Sequence, residues 1–136
     1  MTPVDRRKLL TIDLDDTVWP CLPAIRRAED ALYAWLEVRA PRLTGSHNEA
    51  SLRAHRKSVA RSNPGIAHDL TAVRHASLST LMREFGYAPQ LADDAMALVL
   101  EHRNQVEPFE DVIPVLRELG KRYQLVSVTN GNSDVS

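Results

Sequence analysis

Leu9-Leu10-Thr11-Ile12 is a short apolar run with β-branched members that breaks abruptly into Asp13-Leu14-Asp15-Asp16-Thr17. A strand apolar on both faces belongs inside a parallel sheet, and an abrupt polar end places its carboxyl terminus at an open sheet edge. The pattern predicts a strand over about residues 8–14, followed by a carboxylate-rich loop where open parallel sheets bind their ligands. Parallel strands need a long crossover between them, so the expected class is α/β.

The rest of the chain supplies that crossover and a second strand. From Pro20 to about Gln105 the apolar period becomes helical. Ile25, Ala28, Leu32, Trp35 and Leu36 share one face; Leu70, Val73, Ser77, Leu78, Leu81 and Phe85 share another. Leu91, Ala95, Leu98 and Val99 form a third stripe, and residues 51–61 a weaker helix. Breaks are expected at Pro41–Ser46, Asn63-Pro64-Gly65 and Gly86–Pro89. A further helix carries Val112, Ile113, Leu116 and Leu119, with Glu110 and Asp111 expected in its first turn and Gly120-Lys121-Arg122 at its end. Tyr123–Val128 then reads as a strand ending in Thr129-Asn130-Gly131-Asn132. Without the helical insert, the remainder is a βαβ-like unit whose strands both end in polar, phosphate-compatible loops.

Composition narrows the partners. With 43% hydrophobic and 26% charged residues, the 136-residue chain has enough apolar surface to pack a core, which argues against disorder. A net charge of −1 excludes the broad positive field of a general nucleic-acid binder. No run approaches the length of a membrane span, and Met1–Lys8 contains no signal-peptide core. Cys21 is the single cysteine, so neither an internal disulfide nor a cysteine-based zinc site can form. The five histidines lack His-Glu-x-x-His spacing. A cytoplasmic protein acting on a small molecule is expected.

Asp13 and Asp15 carry the chemistry. Side chains two apart in an extended segment point the same way, so both carboxyl groups can address one phosphoryl group. Asp13 could attack in line, and Asp15 could protonate the departing oxygen and then deprotonate a hydrolytic water. The competing reading is an acidic turn whose Asp16 or Thr17 caps a helix. An EF-hand loop fits poorly, because its required Gly and Glu positions hold Val18 and Ala24. Thr129 could hold phosphate oxygens through its hydroxyl and the following N–H groups, although Asn130-Gly131 is also a common turn dipeptide.

Ile12-Asp13-Leu14-Asp15-Asp16-Thr17-Val18 resembles the first signature of the haloacid-dehalogenase (HAD) superfamily, Asp-x-Asp-x-Thr after a hydrophobic strand. The resemblance implies that Asp13 is the nucleophile and a Mg²⁺ ligand. Asp15 is then the acid/base and a metal ligand through its carbonyl. Dehalogenase members lack the second Asp, because a halide leaves unprotonated, so phosphatase chemistry through an aspartyl phosphate is implied. Thr129-Asn130-Gly131 resembles the second signature, and Leu14, Asp16, Thr129 and Asn130 form the implied phosphate-binding set. The insert corresponds to the family's helical cap of the first type. Pro64–Arg74, with the two signatures, resembles the branch of bacterial flavin mononucleotide and pyrimidine phosphatases of riboflavin metabolism. A phosphomutase or phosphonate hydrolase on the same scaffold is the alternative within the family.

Trp19, His68 and Arg74 are the candidate substrate contacts. Trp19 could stack on a flavin ring or fill the cap hinge, and Asp69 suits a helix N-cap better than a ligand contact. Arg53, Arg56, Lys57 and Arg61 share a helical face that reads chiefly as solvated surface. Cys21 reads as a small packing residue. The expected organisation is a partial HAD-like Rossmannoid core at residues 1–19 and 108–136, with an α-helical bundle cap at 20–107. The family's later lysine and acidic pair are absent from this sequence, so the chain is expected to be an inactive fragment of a longer enzyme. Such a short core should expose apolar strand faces and open edges, which could pair two copies of the chain.

Overall fold

The computed structural model describes residues 7–129. The elements run β1 (Lys8–Asp13), α1 (Cys21–Arg39), α2 (Pro41–Thr44), α3 (Glu49–Ser62), α4 (Leu70–Glu84), α5 (Leu91–Arg103), α6 (Val112–Gly120) and β2 (Tyr123–Val128). The described residues divide into two compact units, one of residues 7–22 with 106–129, the other of residues 23–105.

In the first unit β1 and β2 pair in parallel, from Lys8 opposite Tyr123 to Asp13 opposite Val128. No residue of either strand is buried; Leu9, Val126 and Val128 are each more than two-fifths exposed. The apolar run within β1 therefore coexists with an uncovered sheet. Val112, Leu116 and Leu119 are half-buried on α6, whereas Ile113 is exposed. Arg7 Nη1 donates to the Gly120 carbonyl at the end of α6 (3.1 Å), satisfying an acceptor that the helix cannot pair itself. Glu110 and Asp111, expected in the first turn, precede the helix, and Asp111 makes no side-chain cap bond.

The second unit is a helical bundle around Leu36, Leu43, Leu81, Met82 and Val99, all fully buried. The buried stripe of α1 is Ala24, Ala28, Leu32 and Leu36, one position round from the expected Ile25 and Trp35, which are half-buried. The break expected at Pro41–Ser46 contains the one-turn helix α2, with Pro41 at its start, where the missing N–H costs nothing.

Helix α3 opens with a reciprocal capping box between Asn48 and Ser51. In α4, Asp69 Oδ1 accepts from the Ala72 N–H (3.0 Å), the expected N-cap. Leu70, expected on the apolar stripe, is exposed because it occupies the first turn, before the buried face begins at Val73. The far end of α4 closes with Gly86 N–H on Arg83 O (3.1 Å) and Tyr87 N–H on Met82 O (2.7 Å). This double closure requires a left-handed residue, and Gly86 supplies it with φ of 77°.

Candidate active site

The parallel register brings the two motifs together. Because Asp13 pairs with Val128, Leu14 and Thr129 leave the sheet at the same level, at its carboxyl edge. Asp13 is exposed, while Thr129 is half-buried. Asn130, the remaining member of the expected phosphate-binding set, lies outside the described residues.

The loop after β1 is fixed from within. The Leu14 carbonyl accepts the N–H groups of Thr17 (3.1 Å) and Val18 (2.8 Å), and the Leu14 and Val18 side chains are buried. Thr17 Oγ1 donates to Asp13 Oδ2 (3.1 Å), which holds the plane of that carboxylate. Asp15 forms an isolated parallel bridge with Trp19, and Trp19 Nε1 donates to Asp15 Oδ1 (3.0 Å). The returning segment is tied on by the Phe109 N–H, which donates to the Val18 carbonyl (2.9 Å).

Asp16 is held within its own loop. It adopts φ of 61°, a left-handed conformation that aspartate tolerates better than most residues. Its N–H donates to Trp19 O (2.7 Å), and its Oδ1 accepts from the Cys21 N–H (2.8 Å) at the start of α1. Both groups are committed to closing the loop. The bond to Cys21 is the helix cap that the alternative reading of this turn describes.

The candidate substrate residues belong to different units of the chain. Trp19 belongs to the Asp15 loop. His68 is exposed in the connection between α3 and α4. Arg74 lies on α4 in the helical unit, with Nη2 3.9 Å from Glu29 Oε1. Glu29 also accepts from Arg53 Nη1 at Oε2 (3.0 Å) and from Arg56 Nη2 at Oε1 (2.9 Å). Arg53 and Arg56 are thus ion-paired, not merely solvated, whereas Lys57 and Arg61 are exposed. Burial opposes ionisation of Glu29, but the hydrogen bonds from Arg56 and Arg53 and the charges of Arg56 and Arg74 outweigh it, and its pKa lies below the usual carboxylate value. Burial, then repulsion from Arg56, pushes the Arg74 guanidinium down to about 10 against the attraction of Glu29. Sequence reasoning missed Glu29. The available signal was one acid on the stripe Ile25, Leu32, Leu36, at helical spacing from all three.

Hard cations such as Mg²⁺ need several oxygen ligands in fixed geometry. Asp13 offers an exposed carboxylate of suitable chemistry, but no group of three or more His, Cys, Asp or Glu side chains among the described residues could hold a metal ion. These residues do not complete a magnesium site. No described helix is long and apolar enough to cross a membrane.

A parallel strand pair with Asp-x-Asp-x-Thr at one carboxyl end, Thr at the other and a helical unit inserted between them defines an α/β protein with a partial Rossmannoid core and cap. No family model matches the chain. The 5-amino-6-(5-phospho-D-ribitylamino)uracil phosphatase YigB of Escherichia coli (strain K12) is 31% identical over 135 residues, spanning 96% of this chain and 56% of the relative. A 2-haloacid dehalogenase from Pseudomonas syringae pv. Tomato DC3000 superposes with a TM-score of 0.84 at 39% identity, over 95% of this chain and 57% of that one. The HAD-hydrolase YfnB from Bacillus subtilis, solved bound to magnesium, shares the fold with a TM-score of 0.58 at 18% identity, over 95% and 56% of the two chains. The chain is similar to haloacid-dehalogenase superfamily proteins over nearly all of its own length. It spans a little over half the length of these relatives.

Proposed function

We propose that the whole protein is a phosphate monoester hydrolase acting through an aspartyl phosphate on Asp13. The observation that carries this reading is the coincidence of Asp13 and Thr129 at one sheet edge, with Asp15 retained in the intervening loop. An Asp13 carboxylate oxygen attacks phosphorus, and the ester P–O bond breaks in line. Asp15 delivers its proton to the departing alkoxide, removing the main obstacle to its leaving. The same carboxylate then takes a proton from the water that attacks the aspartyl phosphate, which releases inorganic phosphate and restores both groups. The Thr129 hydroxyl and the Asn130 segment hold the equatorial oxygens as charge builds on them.

Mg²⁺ is the metal that suits this chemistry, with Asp13 and the Asp15 carbonyl among its oxygen ligands and the rest supplied from outside the described residues. It would neutralise charge between nucleophile and phosphate. The substrate is a small phosphorylated metabolite, with a ribityl phosphate such as flavin mononucleotide or a ribitylaminouracil phosphate as the preferred class. The similarity to YigB supports that class. Asp15 distinguishes this reading from dehalogenation, in which the leaving halide needs no proton. The location that suits such a substrate is the cytoplasm.

The test is phosphate release by the whole protein from an aryl phosphate and from ribityl phosphates, with and without Mg²⁺. Metal-dependent release abolished by Asp13→Asn supports the proposal. Undiminished release in that variant, or halide release from a 2-haloacid with no phosphatase activity, sinks it.

A second reading concerns the 136-residue chain alone. Exposure of Leu9, Phe109, Ile113, Val115, Val126 and Val128 around the two strands and α6 supports self-association without catalysis. Light scattering decides it, since a stable monomer at high concentration contradicts pairing.

A further inference from the structure

We propose that the helical unit carries an anion site of its own, in which Arg56 and Arg74 bind the oxygens of a phosphate group. A shallow pocket open to solvent is lined by Arg53, Arg56 and Arg74 together with Glu29, Glu49 and Tyr33. Three guanidinium groups face two carboxylates, so the lining holds one positive charge in excess.

The ion pairs leave that excess on Arg74. Both oxygens of Glu29 are engaged at hydrogen-bond distance by α3, through Arg53 and Arg56. Arg74 Nη2, 3.9 Å from Glu29 Oε1, is near enough for attraction but not for a hydrogen bond. Arg74 Nη1 is buried and has no hydrogen-bond partner. An unmet charged donor in a protein interior is costly, and a purely structural ion network would be expected to satisfy it. The Tyr33 hydroxyl, which donates to the His47 carbonyl (3.1 Å), does not accept from Arg74 Nη1. The depressed pKa of Arg74 has the same origin, burial followed by the charge of Arg56.

A tetrahedral oxyanion answers the surplus charge. One oxygen accepts from the part of the Arg74 guanidinium that lines the pocket, another accepts from Arg56, and the anion cancels the excess. Guanidinium groups match phosphate oxygens in geometry as well as charge. The apolar walls Leu32 and Leu52 lower the local dielectric and strengthen the contact. This inference rests on helical-unit residues alone and stands whether or not Asp13 is a nucleophile.

The experiment titrates the 136-residue chain with inorganic phosphate, with glycerol phosphate, and with sodium chloride at matched ionic strength, by calorimetry and thermal melting. Saturable phosphate binding is expected, and Arg74→Gln should weaken it by about 10- to 100-fold, the worth of one charge-assisted hydrogen bond. Phosphate held at the Asp13 loop would be insensitive to Arg74→Gln. Tighter binding of glycerol phosphate would identify a metabolite as the source of the anion, and equal or weaker binding would identify free phosphate; chloride should do neither. Should Arg74→Gln fail to fold, Glu29→Gln gives the second reading: phosphate should replace the lost carboxylate and raise its melting temperature more than that of the unaltered chain. Equal phosphate response in the unaltered chain and the folded variant, or a response reproduced by chloride, overturns the proposal.

Discussion

The indole N–H of Trp19 donates to Asp15 Oδ1 at 3.0 Å, while the backbones of the same two residues form a parallel bridge. The proposed acid/base carboxyl is therefore oriented twice over, once through its side chain and once through its main chain. A carboxyl that must give up a proton and later take one back works best when its position does not drift between the two steps.

Trp19→Phe keeps the aromatic bulk and removes the donor. In the whole protein, turnover on an aryl phosphate should fall by about tenfold, as expected for one lost positioning hydrogen bond, with little change in KM. Steady-state kinetics check this. An equal loss in KM would assign Trp19 to substrate contact.

Glu29 should set an acid limb of stability. Its folded-state pKa lies below the ordinary 4.5, so its contribution is full above that value and is lost as pH falls through the lower folded-state value. Denaturant unfolding of the chain should show this decline, and Glu29→Gln should flatten it while lowering stability at neutral pH.

His55 gives a second limb at milder pH. Burial first, then the nearby His47, lowers its pKa below the ordinary 6.5, and Ser77 Oγ lies 2.7 Å from Nδ1. The unfolded chain takes up a proton at about pH 6.5 that the folded chain resists, so stability is full above that value and falls as pH drops through it. His55→Gln should remove this part of the pH dependence of the melting temperature.

Asp69→Ala should cost about 1 kcal/mol, because the Ala72 N–H loses its acceptor at the start of α4. Asp69→Asn, which keeps the acceptor oxygen, should recover most of that loss in chemical denaturation. An unchanged midpoint in the alanine variant would show that water replaces the cap.

The reach of the sequence can be judged from particular residues. Strand β1 and its loop were legible because an apolar run can end in three carboxylates only where it meets water. Asp69 was legible as a cap because capping is local, decided within three residues. Leu70 was misjudged because a stripe extrapolated by period has no knowledge of where the buried face begins. The loop contacts of Asp16 were not legible, because its N–H and carboxylate meet Trp19 and Cys21 through a turn whose left-handed geometry no spacing announces. Glu29 escaped because its meaning depends on Arg53, Arg56 and Arg74, which the fold brings to it from two other helices. Periodicity reports which face is inside, not which charges meet there.

The register of β1 against β2 has a consequence for how such a chain can change over generations. One residue gained or lost inside either strand would slide one motif past the other by about 3.3 Å and turn its side chains to the opposite face. Residues gained or lost between the strands, in the helical insert, need not disturb the pairing of Asp13 with Val128 at all. Mutation can thus lengthen, shorten or replace the insert, while the twelve paired strand positions admit substitution but not insertion.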